Sequence, residues 1–392
     1  RRTRHQLRSQ ALLLQRLPLV RSTRTPCRRR CPLRHHRPGS FRDAQGSRAR
    51  YPARPETDAQ LDTPRTPTRA ASHQVAHPES RQLRIPARSR DIPAPDLLAK
   101  GQTVTGAVRN MPENPLPGVE YRVVSDLSAE TNWREALVGM GAVVHCAARV
   151  HIMKETSTDP LAAFREMNVK GTACLAGQLA DNGVKRFVFI SSIKVNGETT
   201  SGHPFTADDT PAPKDPYGIS KWETEQVLQR IAEKTGLEVV IIRPPLVYGP
   251  GVRANFLRLM QAVKRGMPLP LGAINNRRSL VALDNLMDLI DTCLNHPAAR
   301  NQTFLVSDGS DLSTTELVKN MAVALGRPTR LIPVPESLLR VVAKLLGKTS
   351  IAQRLCGSLQ VDINKTRDML GWSPPVTGDE ALRKTAAHFL AY

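Results

Sequence analysis

Lysine is absent from the first 95 residues of the chain, and glycine is nearly so. This segment has 22 arginines, twelve prolines and only two glycines, Gly39 and Gly46. It also shows no sustained apolar periodicity, so it cannot bury enough surface to offset the entropy of ordering. We therefore expect residues 1–95 to be a disordered basic leader. Three origins for this leader remain open: a basic tail that binds RNA or anionic surfaces, a transit-like segment, or a segment translated in a displaced reading frame. We favour the displaced reading frame.

The formal charge of +21 on the chain is typical of a nucleic-acid-binding protein, but it is unevenly spread. The leader carries 22 basic and six acidic residues, a net charge of +16, whereas the remainder carries 34 basic and 29 acidic residues, a net charge of +5. The net charge of residues 96–392 is therefore typical of an ordinary globular protein. A nucleic-acid partner is not expected despite the basic leader.

Long apolar runs and metal-type cysteine spacings are also missing. No run approaches the roughly 20 apolar residues of a membrane-spanning helix, so we expect no membrane partner. Six cysteines are scattered without ligand spacing, so no metal site is expected. Cys146 falls in an apolar stretch and Cys174 in a helical one, which indicates reduced thiols and a cytoplasmic protein.

From about Pro95 onward, strand and helix patterns alternate, which predicts an α/β fold with a doubly wound, Rossmann-like parallel sheet. Residues 96–245 form this dinucleotide-binding domain, and residues 246–392 form a smaller lobe that binds substrate. The predicted strands cover residues 103–108, 119–124, 142–148, 186–191 and 237–242, and the main helices cover 131–138, 159–180 and 216–234. Ligands of such sheets bind beyond the carboxyl ends of the strands.

Ser192, Tyr217 and Lys221 form a candidate proton-transfer set at that edge. Ser192 closes the strand-like run 186–192, and Tyr217 and Lys221 lie four residues apart on a predicted helix, so they share one face. A free tyrosine titrates near ~10, so a nearby cation is needed to bring its pKa toward working pH. The phenol would carry the proton, the ammonium would acidify it, and the hydroxyl would hold the substrate oxygen.

Several ordered motifs surround this set and extend to the C-terminus. They are Asp126-Leu127, His145-Cys146-Ala147-Ala148, Asn168-Val169-Lys170-Gly171-Thr172, Arg243-Pro244, Tyr248-Gly249-Pro250-Gly251, Arg278-Ser279 and Leu370-Gly371-Trp372. With the Ser-Tyr-Lys set, they resemble the extended short-chain dehydrogenase/reductase family, in particular its UDP-glucose 4-epimerase-like branch. The resemblance covers roughly three quarters of the chain.

The resemblance implies NADP or NAD as cofactor, a UDP-sugar substrate, and a homodimer through the helices near 159–180 and 216–234. It places the following residues at the cofactor: Arg109, Asp126, Leu127, Cys146, Ala147, Ala148, Asn168, Tyr217, Lys221 and Pro244. At the substrate it places Ser192, Asn255, Phe256, Leu269, Leu271 and Arg278, whose planar guanidinium suits a diphosphate. His145 is expected to be structural.

One family feature is missing. The glycine-rich loop that holds the pyrophosphate should lie about 15–25 residues before Gly101, but residues 81–90 contain no glycine. Without glycine the backbone cannot approach the phosphates closely. We therefore expect the first βα unit to be missing, dinucleotide binding to be weak and folding to be poor.

Three related reactions share this scaffold: dehydration, 4-keto-sugar reduction and 4-epimerisation. A related 4,6-dehydratase would carry Asp-Glu directly after Ser192, as the acid–base pair that eliminates water. The two residues there are Ile193 and Lys194, so dehydration is disfavoured. Arg109 follows the strand predicted over residues 103–108, which corresponds to the family's second strand, at the place where an acid would bind the NAD ribose; this favours NADP(H). The sequence therefore predicts a 4-keto-sugar reductase for surface polysaccharide precursors, with a UDP-glucose 4-epimerase as the alternative. The alternative to an enzyme is a binding protein, either a catalytically impaired Rossmann-like protein or a basic protein associated with nucleic acid.

Overall fold

The computed structural model describes residues 81–85, 94–149 and 159–391. The described strands are β1 (Arg81–Ile85), β2 (Val104–Val108), β3 (Val119–Val123), β4 (Met140–His145), β5 (Arg186–Ile190), β6 (Glu238–Arg243), β7 (Leu246–Tyr248), β8 (Arg278–Ala282), β9 (Thr303–Leu305) and β10 (Asp311–Leu312). Seven of them form a parallel sheet in the order β3-β2-β1-β4-β5-β6-β9. This order confirms the Rossmann-like prediction.

Helices connect and cover these strands. They are α1 (Ala94–Ala99), α2 (Arg134–Leu137), α3 (Pro160–Phe164), α4 (Thr172–Asp181), α5 (Pro216–Thr235), α6 (Ala254–Lys264), α7 (Leu283–Asn295), α8 (Thr314–Ala324), α9 (Glu336–Leu345), α10 (Thr349–Cys356), α11 (Asn364–Leu370) and α12 (Gly378–Ala391). A π-helical segment, Arg165–Gly171, joins α3 to α4. The long helix expected over 159–180 is therefore present, but with a wider turn in its middle.

The central strand β1 corrects one expectation. The sequence predicted that the first strand is missing, but Arg81–Ile85 pairs in parallel with β2 on one side and with β4 on the other. A gap between two parallel strands offers backbone donors and acceptors on both edges, so a short segment can fill it through its main chain alone. Residues 86–90 of the segment where the phosphate loop was expected, and the following residues up to 93, lie outside the described residues.

The sheet is buried on both faces. Along β4, Val143 faces one hydrophobic layer and Val144 faces the other, and Phe187 and Val188 do the same along β5. Successive side chains of a strand point to opposite faces, so these continuous apolar runs require helices on both sides. The two layers hold the carboxyl ends of the strands in one rigid row.

The smaller lobe has a three-stranded sheet in the order β10-β8-β7. Its core includes Tyr248, Phe256, Met260 and Ile274, together with apolar residues of α8 and α12. Leu269, which follows α6, pairs with Leu331. This pairing places the segment that precedes α9 against the body of the lobe.

Candidate active site

Helix α5 carries both Tyr217 and Lys221, and its first turn is closely defined. The side chain of Asp215 accepts a hydrogen bond from the backbone N–H of Gly218 at 2.7 Å, and Pro216 occupies the first turn. An aspartate cap satisfies an N–H that the helix itself leaves without a partner. The helix therefore begins in a fixed position, with its first turns directed toward the carboxyl edge of the sheet.

Lys221 is held at the end of β5. Its Nζ donates to the backbone oxygen of Ile190 at 2.7 Å and lies 4.4 Å from the centre of the Phe189 ring. The same Nζ lies 6.0 Å from the ring centre of Tyr217. Burial lowers the pKa of Lys221 to about 8, although Cys146 and Glu225 oppose the shift. The ammonium is thus placed beside the phenol ring and is less strongly protonated than a free lysine.

Tyr217 contacts Phe164 edge-to-face, with ring centres 6.1 Å apart. Burial, followed by the negative charge of Asp215, raises the pKa of Tyr217 above its usual value. Without a bound cofactor, the phenol therefore keeps its proton at neutral pH. Positive charge near the hydroxyl is needed to reverse this shift, and Lys221 together with an oxidised nicotinamide would supply it.

Ser192 lies in the turn that follows β5. Its Oγ accepts from the backbone N–H of Lys194 at 3.3 Å, which caps the short 3₁₀ turn Ile193–Val195. A Cβ at Gly218 would lie only 3.0 Å from the carbonyl oxygen of Lys194. Lys194 also forms an ion pair with Asp215. The Ser192 turn and the first turn of α5 are therefore packed backbone against backbone.

The sequence analysis missed a buried ion pair behind this set. Glu225 is fully buried on α5, and its Oε2 lies 2.6 Å from Nη2 of Arg243 at the end of β6. Ser191 donates to Glu225 at 2.5 Å, and Arg243 donates to the side-chain oxygen of Asn196 at 3.0 Å. The spacing of Glu225 could have indicated this pair, because Glu225 lies one helical turn beyond Lys221 on the same face of the predicted helix. The pair fixes α5 to the ends of β5 and β6.

Asn168 lies in the π-helical segment and is almost completely buried. Its side-chain amide accepts from the backbone N–H of Arg149 at 2.8 Å and donates to Oγ of Ser220 at 3.0 Å. Thr224 donates to its backbone oxygen. Wide helical turns are frequent at functional sites. Here Asn168 ties the loop after β4 to the helix that carries Tyr217.

The residues expected at the adenosine end of the cofactor lie beyond β2 and β3. Arg109 forms an exposed ion pair with Asp126 at 2.7 Å. Leu127 packs against Gly171, where a Cβ would come within 2.8 Å of the leucine side chain. The pairing with Asp126 reduces the free positive charge that Arg109 can offer to a 2′-phosphate. An exposed pair contributes at most about 1 kcal/mol, so a ligand can still open it.

The other expected cofactor residues follow β4 and β6. Cys146, Ala147 and Ala148 are half-buried after β4, and Pro244 is buried after β6, where its carbonyl accepts from Ile193. His145 stacks between Phe187 and Phe189, and Nε2 lies 3.0 Å from Oγ1 of Thr172. Burial and the charge of Lys221 lower the pKa of His145 to about 3, so it stays neutral as a packing residue.

The residues expected at the substrate are spread over the smaller lobe. Asn255 is exposed and Leu269 is half-buried, but Phe256 and Leu271 belong to the hydrophobic core. Phe256 stacks on Tyr248 with ring centres 5.4 Å apart. Their contact with a substrate stays a prediction.

Arg278, the residue expected at the diphosphate, opens β8. Its Nη1 donates to the backbone oxygens of Arg354 and Gly357, at 3.0 and 2.9 Å. Burial lowers its pKa. Part of the guanidinium is therefore already used to hold the end of α10, and its role at a diphosphate also stays a prediction.

The order of the parallel sheet and the placement of Lys221 beside Tyr217 at its carboxyl edge are those of the extended short-chain dehydrogenases/reductases. The model of the NAD dependent epimerase/dehydratase family matches residues 94–307, and the chain belongs to that family. A UDP-glucose 4-epimerase of Vibrio cholerae is 53% identical over 269 residues, which cover 68% of this chain and 82% of that protein.

A second relative is more distant. The N-acetyl-α-D-glucosaminyl-diphospho-ditrans,octacis-undecaprenol 4-epimerase of Escherichia coli is 28% identical over 283 residues, covering 68% of this chain and 82% of that protein. Among solved structures, the UDP-glucose 4-epimerase of Thermotoga maritima matches with a TM-score of 0.63 at 20% identity. That match covers 79% of this chain and 99% of the solved chain, and it shows the shared fold.

Proposed function

We propose that this chain catalyses NAD-dependent epimerisation at C4 of a UDP-hexose. The observation that carries the proposal is Lys221, whose ammonium is fixed on the Ile190 carbonyl one helical turn from Tyr217. The 53% identical relative is a 4-epimerase, which favours this reaction over the 4-keto-sugar reduction expected from the sequence. The Arg109–Asp126 ion pair also weakens the argument for NADP(H).

Each residue of the set has a distinct role in this proposal. Tyr217 takes the proton of the C4 hydroxyl and later returns it to the same oxygen. Lys221 stabilises the phenolate, and the hydroxyl of Ser192 hydrogen-bonds to the reacting oxygen. The nicotinamide supplies the hydride acceptor and donor when it is bound. Tyr217 is half-buried, and its low-dielectric surroundings strengthen the effect of the nearby ammonium.

The described residues fit a dinucleotide at both ends. Tyr217 and Lys221 suit the nicotinamide half, and Asp126 and Leu127 lie beyond β3 for the adenosine half. Residues 86–93 between β1 and α1 contain no glycine, so we expect weak binding of the pyrophosphate. We also propose a homodimer through α4 and α5 and a cytoplasmic location.

The test is Tyr217→Phe, assayed by the interconversion of UDP-glucose and UDP-galactose with added NAD. Loss of the hydroxyl should lower kcat by about 100-fold or more, the size expected for general acid–base catalysis. Tyr121→Phe is the matched control, because the Tyr121 hydroxyl only accepts from the backbone of Leu116 at 3.1 Å. Near-full activity of Tyr217→Phe would refute the mechanism. Stoichiometric consumption of NADPH by a 4-keto sugar, without epimerisation, would favour the reductase.

A further inference from the structure

Helix α9 carries its apolar stripe on the outside. Leu338, Val341, Val342 and Leu345 are spaced i, i+3, i+4 and i+7, so they share one face, and they are 52, 55, 44 and 82% exposed. In a surface helix of a folded domain, a stripe with this spacing normally faces the core. No residue of α9 is buried. The most apolar face of α9 is therefore exposed on the surface.

The polar stripe of α9 borders a cavity at the surface of the lobe. Glu336, Arg340 and Lys344 follow one another at four-residue intervals and line a cavity of about 640 Å³. The opposite wall of that cavity includes Asn276 and Gln353. Arg340 pairs with Glu336 at 2.6 Å. On the inner side of α9, Leu339 packs against the apolar core of the lobe.

The apolar surface continues into the next helix. Leu346 and Ile351 are 63 and 51% exposed, and Lys348 and Arg354 lie three residues before and after Ile351 on the same face. We call this the α9–α10 surface, defined by Leu338, Val341, Val342, Leu345, Leu346 and Ile351. Single exposed apolar residues need no explanation, but a contiguous patch marks an interaction site.

The charge around this surface selects its partner. Residues 326–361 contain six basic residues and one acidic residue, Glu336. Two copies of the surface would repel each other, and the arginine-rich leader of the same chain is equally unsuited to cover it. The partner must therefore combine an apolar layer with negative charge.

We propose that the α9–α10 surface docks on an anionic lipid bilayer. Basic amphipathic helices lie in the plane of the membrane interface, with apolar side chains below the headgroups and lysine or arginine near the lipid phosphates. Among the described residues, no helix is long and apolar enough to cross a membrane, so docking is peripheral. This differs from the sequence expectation of no membrane partner, and it is independent of the proposed catalytic function.

The test is co-sedimentation of the full chain with vesicles of phosphatidylcholine containing about 30 mol % phosphatidylglycerol. We expect binding at low salt that weakens strongly in about 0.5 M salt, where the screening length is short. The double variant Leu338→Glu/Leu345→Glu should bind at least tenfold more weakly, because it places carboxylates in the apolar stripe. Lys348→Glu/Arg354→Glu should show a similar loss.

The matched control is Val138→Glu, which adds a carboxylate to a 62% exposed apolar position in the Rossmann domain. It should bind vesicles as the unmodified chain does, and all variants should keep the same melting temperature. Absence of binding to anionic vesicles would overturn the proposal. So would equal binding by Leu338→Glu/Leu345→Glu, because the basic leader would then account for it. A vesicle-free dimer that this double variant abolishes would instead assign the surface to self-association.

Discussion

Replacement of Glu225 by glutamine should destabilise the protein and impair its reaction. In the structure Glu225 is fully buried and accepts from both Arg243 and Ser191. The glutamine keeps the shape of the side chain but removes its charge, so the guanidinium of Arg243 stays buried with only neutral partners. Removal of one member of a buried ion pair costs about 3–5 kcal/mol.

This cost can be converted to a melting temperature. The entropy of unfolding is about 2.1 cal/mol/K per residue, which gives about 0.6 kcal/mol/K for the roughly 300 residues that the structure describes. The melting temperature of Glu225→Gln should therefore fall by about 5–8 °C. Because Ser191 precedes Ser192, we also expect kcat to fall by about tenfold from misplacement of the reacting groups. Calorimetry and the epimerase assay measure the two effects.

A double-mutant cycle separates the ion pair from general damage to the core. Arg243→Met alone should also destabilise, because it leaves the carboxylate of Glu225 without its cation. The double variant Glu225→Gln/Arg243→Met should be more stable than the sum of the two losses predicts, by about 1 kcal/mol or more. A loss below about 1 kcal/mol for Glu225→Gln, or strict additivity, would show that the pair does not hold the site.

Three further predictions concern the cofactor site and Lys221. With the pKa of Lys221 lowered to about 8, kcat should fall as pH rises through that value and the ammonium is lost. A lowered lysine pKa also means that the unfolded state binds more protons between pH 8 and 10.5, so stability relative to Lys221→Met should rise across that range; a flat difference would contradict the shift. Arg109→Asp should raise the preference for NAD over NADP by about tenfold or more in a fluorescence titration, because a carboxylate repels the 2′-phosphate. Replacement of residues 86–93 by a Gly-x-x-Gly-x-x-Gly loop should tighten NAD binding by about tenfold or more and increase the NAD-dependent rise in melting temperature; an unchanged affinity would show that the present loop suffices.

Patterns that repeat along the chain were sufficient to predict most of the sheet. The apolar runs that became β4, β5 and β6 are buried on both faces, and such runs have few alternatives to a parallel strand. The 216–234 prediction for α5 agrees with Pro216–Thr235 because local signals mark both ends: the Asp215 cap and Gly236, whose φ is 78°. Tyr217 and Lys221 could be paired from their spacing alone.

The sequence alone predicted the class of protein, the alternation of strands and helices, and a Ser-Tyr-Lys set whose catalytic role stays a prediction, because these depend on periodicity and short-range spacing. Tertiary structure decided the rest. Segment 81–85 became the central strand through backbone pairing with β2 and β4, which no composition signal reports. Arg243 meets Glu225 only because β6 and α5 pack together. The apolar stripe of α9 faces outward, although its spacing is typical of a core-facing helix, because a different residue, Leu339, packs against the core of the lobe.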